Sequence, residues 1–146
     1  MDFFTAMEVS ASGLSAERTR MNVASSNLAN VQTTRTAAGG PYRREDVLLE
    51  SQGVDGAQVA GGKAGGFSDA VHAVRVQGIV EDATPPRLEY DPEHPDADAE
   101  GYVAYPNVNI VEEMVDMITA SRAYEAGLTA LSTAVSLSER ALSIGR

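Results

Sequence analysis

The sequence predicts an α+β fold: long N- and C-terminal helices packed as an antiparallel, coiled-coil-like stem, with a small antiparallel β domain inserted between them. Three observations predict it. Apolar residues recur at helical spacing in the first and last thirds, short alternating runs fill the middle, and the middle holds most of the charge. Residues 1–40 carry three acids and three bases and residues 107–146 carry five and three, whereas residues 41–106 carry thirteen acids, five bases and all six prolines. The chain therefore divides into an N-terminal helix and its end (1–36), an acidic β-rich middle (37–106) and a C-terminal helix (107–146).

In the first segment Met7, Leu14, Met21 and Leu28 fall seven apart, with Phe4, Ala11, Arg18 and Ser25 interleaved. This is one seam of a helix, strong on one half and small or polar on the other, so it needs a partner with a richer seam. Asn27 and Asn30 stand near its end, either capping and turning the chain or forming an ordinary polar helix end.

The middle reads as strands at Tyr42 to Leu49, Val71 to Val80, Leu88 to Tyr90 and Tyr102 to Tyr105. Residues 52–70, rich in Gly, Ala and Gln, form a flexible connection or hairpin tip.

The last segment holds the strongest periodic signal. Steps of four and three from Ile110 give Met114, Met117, Ser121, Tyr124, Leu128, Leu131, Val135, Ser138 and Leu142, and eight of these ten positions are apolar or aromatic. Pro106 precedes the run, Asn107 or Asn109 supplies the N-cap, and Glu112, Glu113 and Asp116 suit the positive end of the helix dipole. Gly145 sits near the helix end, as a C-terminus prefers. Gly127 interrupts the helix at a cost of roughly 1 kcal/mol relative to Ala.

Composition excludes several classes of function. With 43% hydrophobic residues but only 5% aromatics and no Trp among 146 residues, burial rests on Ala, Val, Leu, Ile and Met, which suits helix packing better than an aromatic-lined pocket for a small-molecule substrate. A net charge of −10 without a basic patch argues against nucleic acid. Having no cysteine, the chain forms no disulfide, thiolate metal site or cysteine nucleophile. The N-terminus lacks the basic and apolar regions of a secretory signal, and no apolar run spans a bilayer. The expectation is a cytosolic chain, or one that leaves the cell without signal cleavage.

Asp91, His94, Asp96, Asp98 and Glu100 place carboxylates at alternate positions, which suits a hard cation such as calcium. The spacing lacks the glycine turn and flanking helices of an EF-hand, so a solvated acidic loop is the main reading and a calcium-dependent binding module the alternative. His72 and His94 have no nucleophile beside them, and no serine lies in a strand-to-helix elbow, so no catalytic site is expected. Arg43 and Arg44 follow the turn Gly39-Gly40-Pro41; they either dock an acidic neighbouring subunit or make local ion pairs.

Several motifs together resemble one family. At the N-terminal end these are Ser12-Gly13-Leu14-Ser15-Ala16-Glu17-Arg18, Met21-Asn22, Ser26-Asn27-Leu28-Ala29-Asn30, Thr33-Thr34-Arg35-Thr36 and Gly39-Gly40-Pro41-Tyr42-Arg43-Arg44. At the other end they are Gly101-Tyr102-Val103, Tyr105-Pro106-Asn107-Val108-Asn109, Glu112-Glu113-Met114-Val115-Asp116-Met117 and Ala120-Ser121-Arg122-Ala123-Tyr124-Glu125. They are similar to the motifs of the bacterial flagellar axial rod and hook proteins, in the form belonging to the proximal rod. Val31-Gln32 departs from the family's small-plus-Asn pair, and Gly127 stands where it commonly has Asn.

The resemblance implies a structural subunit without cofactor or catalysis, exported by the flagellar type III apparatus without signal cleavage. Its place would be the basal-body rod crossing the periplasm, with copies of itself, other rod proteins and basal-body junction proteins as partners. Assembly is expected to run through Met7, Leu14, Met21, Leu28, Asn27 and Asn30 on the first helix and Ile110, Met114, Met117, Tyr124, Leu128, Leu131, Val135 and Leu142 on the second. Arg43, Arg44 and Arg122 are expected to make polar contacts between subunits. Ala16, Ala24, Ala29, Ala123 and Ala130 are expected on the opposite face, where small side chains permit close approach. One helix pair buries only part of its stripe, so the terminal helices are expected to be marginal alone and ordered on assembly.

Overall fold

The computed structural model describes residues 3–53 and 72–144. Almost all of the expected 52–70 connection, and the expected helix-ending Gly145, lie outside the described residues. The elements follow in the order α1 (Phe3–Ala29), β1 (Glu45–Gly53), β2 (His72–Glu81), β3 (Arg87–Tyr90), β4 (Tyr102–Tyr105) and α2 (Ile110–Ile144). Among the described residues two long helices thus bracket four strands. The strands form two two-stranded sheets, β1-β2 and β3-β4, instead of the one small sheet expected. The described residues fall into two compact units: one within Met1–Thr19, Leu48–Gly78 and Ala120–Arg146, the other within Arg20–Val47 and Ile79–Thr119.

In the first unit Ala16 of α1 and Ala120 of α2 are buried. A side chain built on Gly127 would put its Cβ 2.9 Å from Leu14 Cδ2, so the glycine lets α2 lie against Leu14. The Val74 amide of β2 donates to Ser12 Oγ on α1 at 3.1 Å.

The second unit is built around the end of α1 and the start of α2. Past Ala29 the Asn30 amide still donates to Ser26 O, Asn30 Nδ2 bonds the same carbonyl at 2.9 Å, and its Oδ1 accepts from Thr33 Oγ1. Asn30 therefore closes the helix and fastens the exit turn to it. Gly39 and Gly40, at φ of 88° and 78°, then turn the chain back through the left-handed region that side chains disfavour. The Thr36 amide donates to Gly40 O across this turn, and the Tyr42 amide to Thr33 O. A 2.7 Å bond from the Asp82 amide to Arg44 O ties the beginning of β1 to the end of β2.

β3 and β4 pair antiparallel, with Leu88 opposite Ala104 and Tyr90 opposite Tyr102. Alternation sorts the two faces. Val103 is fully buried on one, while Leu88, Tyr90 and Tyr102 are exposed on the other, where the two tyrosine rings meet edge to face at 5.3 Å. Pro106 is buried and α2 begins four residues later. Asn109 is its N-cap: the side-chain Oδ1 accepts from the Val111 amide at 3.1 Å, and the main-chain carbonyl accepts from the Glu113 amide. Of the two asparagines expected as caps, Asn109 takes the role and Asn107 does not.

Candidate functional site

The most buried polar side chains of the second unit, Asn27 and Glu113, are each 1% exposed. Asn27 lies on the last turn of α1. Its Nδ2 donates to Glu113 Oε2 and to Glu45 O, both at 2.9 Å, and its Oδ1 accepts from the Tyr42 hydroxyl at 2.9 Å and the Glu45 amide at 3.0 Å. The carboxamide thus engages both backbone groups of Glu45, as a neighbouring strand would, and so anchors the first residue of β1 to α1. From the other side Arg44 Nε donates to Glu113 Oε1 at 2.6 Å, with Asp46 and Asp116 at 3.6 and 3.9 Å from the guanidinium. Among the described residues no buried side-chain nitrogen or oxygen lacks a partner.

The surroundings shift two of these groups. Burial acts to lower the Arg44 pKa, but the hydrogen bond and charge of Glu113, with Asp46, outweigh it and hold the guanidinium above its ordinary value. Burial also pushes the Tyr42 hydroxyl up from 10.0, against the lowering effect of a hydrogen bond with Ser26. The carboxylates of Glu45, Glu113 and Glu81 add to the rise.

Near the N-terminal end of α2, Val111 (68% exposed), Val115 and Ile118 recur at helical spacing, flanked by exposed Ile110 and Met114. Water wets this apolar line in the single chain. Leu137, Leu142 and Ile144, on α2 in the first unit, are exposed as well.

The expected seams are displaced from the buried lines. On α1, Met7, Leu14, Met21 and Leu28 are only half-buried; the buried residues are Ala16, Val23, Ala24 and Asn27. On α2, Met117, Tyr124, Leu131 and Val135 are half-buried, as are Ser121 and Ser138, whereas Ile110, Met114, Leu128 and Leu142 are exposed. The deeper line of α2 runs one residue earlier, through buried Glu113 and Ala120 and half-buried Gly127 and Ala134. Two physical reasons act: alanine and glycine leave room for a neighbour, as Gly127 does for Leu14, and Asn27 and Glu113 are inside because they hydrogen-bond each other. Ala16 and Ala24, expected on an outward face, are correspondingly inside, whereas Ala29, Ala123 and Ala130 are exposed.

Of the polar candidates, Asn27 is an interior tie and not a helix cap. Arg44 makes local ion pairs with Glu113, Asp46 and Asp116, the second of the two readings open for it. Arg43 is exposed, 3.9 Å from Glu81, and Arg122 is exposed on α2. Glu113 was legible only as a first-turn acid favoured by the helix dipole. The signal that could have singled it out is a carboxylate on the small-residue heptad line 113, 120, 127 and 134.

The acidic loop between β3 and β4 braces itself. Asp98 Oδ1 accepts from the Glu100 and Tyr102 amides, Asp91 Oδ1 from the Glu93 amide, and His94 Nδ1 from the Asp96 amide. Asp96 meets Thr34 Oγ1 at 2.8 Å and Arg35 at 3.6 Å, joining the loop to the segment after α1. No group of three or more His, Asp or Glu that could hold a metal ion occurs among the described residues. No described helix is long and apolar enough to cross a membrane.

With this geometry in hand, comparison with known proteins finds two family models along the chain. One, described as flagella basal body rod protein, matches residues 7–35; the other, flagellar basal body rod FlgEFG protein C-terminal, matches residues 99–144. They cover most of α1 with its exit turn, and β4 with α2. Over the whole length the chain is 45% identical to the flagellar basal-body rod protein FlgC of Borreliella burgdorferi, covering 99% of this chain and 98% of that one. It is 43% identical to FlgC of Bacillus subtilis and 36% identical to FlgC of Escherichia coli O6:H1, with both chains of each pair fully covered.

Proposed function

Because the chain belongs to the FlgC family of flagellar basal-body rod proteins, which is structural and not enzymatic, we propose that it polymerises through its terminal helices as a subunit of the proximal rod, forming the wall of the drive shaft and export channel. Membership of this family implies assembly with other flagellar rod components and a place in the basal body. The observation that carries the finer reading is the apolar line of Val111, Val115 and Ile118, which faces water in the single chain and gains only by being covered.

An antiparallel helical stem, with the β strands inserted between its two helices, is the arrangement proposed. What supports it is the order of the helix contacts: Leu14 meets Gly127 in the first unit and Asn27 meets Glu113 in the second. As the chain advances along α1, its partners in α2 move back toward that helix's start. The exposed Leu137, Leu142 and Ile144 support the further proposal that the far end of α2 is secured by neighbouring subunits. Residues 37–106, acidic and β-rich, form the inserted domain of this proposal. Export by the flagellar type III route without a cleaved signal, passage of the rod across the periplasm, and contact with basal-body junction proteins complete it.

The test is mass spectrometry of purified hook–basal bodies from the source organism, with the N-terminus of the incorporated chain sequenced. The expected result is this chain at a few copies per particle with its N-terminus intact. Its absence from the particles would overturn the assembly reading; a trimmed N-terminus would overturn the export route.

A further inference from the structure

We propose that Asn27, Arg44 and Glu113 form a conformational latch that makes the end of α1, the start of β1 and the start of α2 order and open as one cooperative unit. The three residues come from distant parts of the chain: 86 positions separate Asn27 from Glu113, and 69 separate Arg44 from Glu113. Each oxygen of the Glu113 carboxylate has a different partner, Arg44 on Oε1 and Asn27 on Oε2. Withdrawing any one segment therefore leaves a buried polar group of another unpaired, a penalty larger than the bond that is lost.

Apolar packing at this junction is modest, resting on the small side chains Val23 and Ala24. The polar ties consequently decide whether the segments stay together. A buried ion pair adds little net stability compared with apolar residues of equal size; what it supplies is the requirement that all its partners be present. The β3-β4 hairpin offers an internal control. Its ladder and the Asp98 bonds involve none of the three latch residues, and the tie from its loop to the rest of the chain runs through Asp96 to Thr34 and Arg35.

Hydrogen exchange on the full chain, read by mass spectrometry, tests the coupling with Glu113→Leu, Arg44→Met and the double variant. In Glu113→Leu, amides of residues 20–29, 44–47 and 109–119 are expected to exchange faster by a common factor, roughly tenfold or more, because the buried Asn27 Nδ2 loses one of its two acceptors and Arg44 loses its closest carboxylate. The ladder residues 87–90 and 102–105 should keep their wild-type rates. Arg44→Met/Glu113→Leu, in which Asn27 still holds Glu45, should recover slow exchange in the helices while the three segments acquire separate rates. Acceleration confined to the neighbourhood of residue 113, or a double variant no better than the sum of the singles, would overturn the latch. Should Glu113→Leu alone give no soluble protein, the double variant decides: soluble protein with uncoupled exchange supports the latch, and continued insolubility overturns it.

Discussion

At the scale of single residues, the sequence placed Asn27 and Glu113 on the correct helices but not in the correct roles. An asparagine near a helix end reads as a cap, and a glutamate in a first turn reads as a response to the helix dipole. Both readings are local, and both miss a side chain that crosses to a segment far away in sequence. Tyr42, which completes the hydrogen bonding of Asn27, gives this cluster a pH signature. Its hydroxyl is neutral in folded and unfolded chains below pH 10, and the stabilisation it provides is fully present there. Above 10 the unfolded chain releases its proton first, because burial has raised the folded pKa, so stability falls as pH rises further. Tyr42→Phe is therefore expected to cost about 1 kcal/mol at neutral pH, the value of the lost bond to Asn27. In urea titrations its stability deficit relative to wild type should shrink above pH 10; a deficit that stays constant to pH 11 would contradict the assignment.

At the scale of elements, helices and strands were legible because their periods are written in adjacent residues. The Ile110 periodicity and its Asn109 cap mark α2, and the alternation about Leu88 and Val103 marks the short hairpin. How β3 turns into β4 was less legible, since it depends on one backbone conformation. Gly101 has φ of 85°, and a Cβ there would lie 2.9 Å from the Tyr90 ring and 3.3 Å from Pro92 Cβ. The positive φ carries most of the cost, since the exposed Tyr90 ring can turn aside. Gly101→Ala is expected to destabilise the protein by about 1–3 kcal/mol in thermal melts, with the loss of protection concentrated in residues 87–105. Gly127 differs in kind: its close neighbour is the flexible end of Leu14, so its helix-weakening glycine marks a close approach and not a turn.

At the scale of the whole molecule, the proposed assembly rests on surface left apolar after folding. Val115→Glu and Ile118→Glu change exposed positions on α2 with a good helix former, so the isolated chain is expected to keep its stability within about 0.5 kcal/mol. The same variants, introduced in place of the wild-type gene, are expected to abolish swimming and yield no complete hook–basal bodies. Normal motility with both variants would show that this face is not covered in the assembly.

Sequence by itself determined the two terminal helices, the four strands between them, the concentration of acid in the middle and membership of a structural family. These follow from local periodicity, composition and motifs that neighbouring residues carry. Only the tertiary structure decided which line of each helix is buried, that Ala16, Ala24 and Gly127 make room for close approach, and that Asn27, Arg44 and Glu113 converge. The reason is physical: a helical seam predicts where apolar residues lie, but the depth of each position depends on the size of what faces it. That partner sits up to 86 residues away, where no local pattern records it.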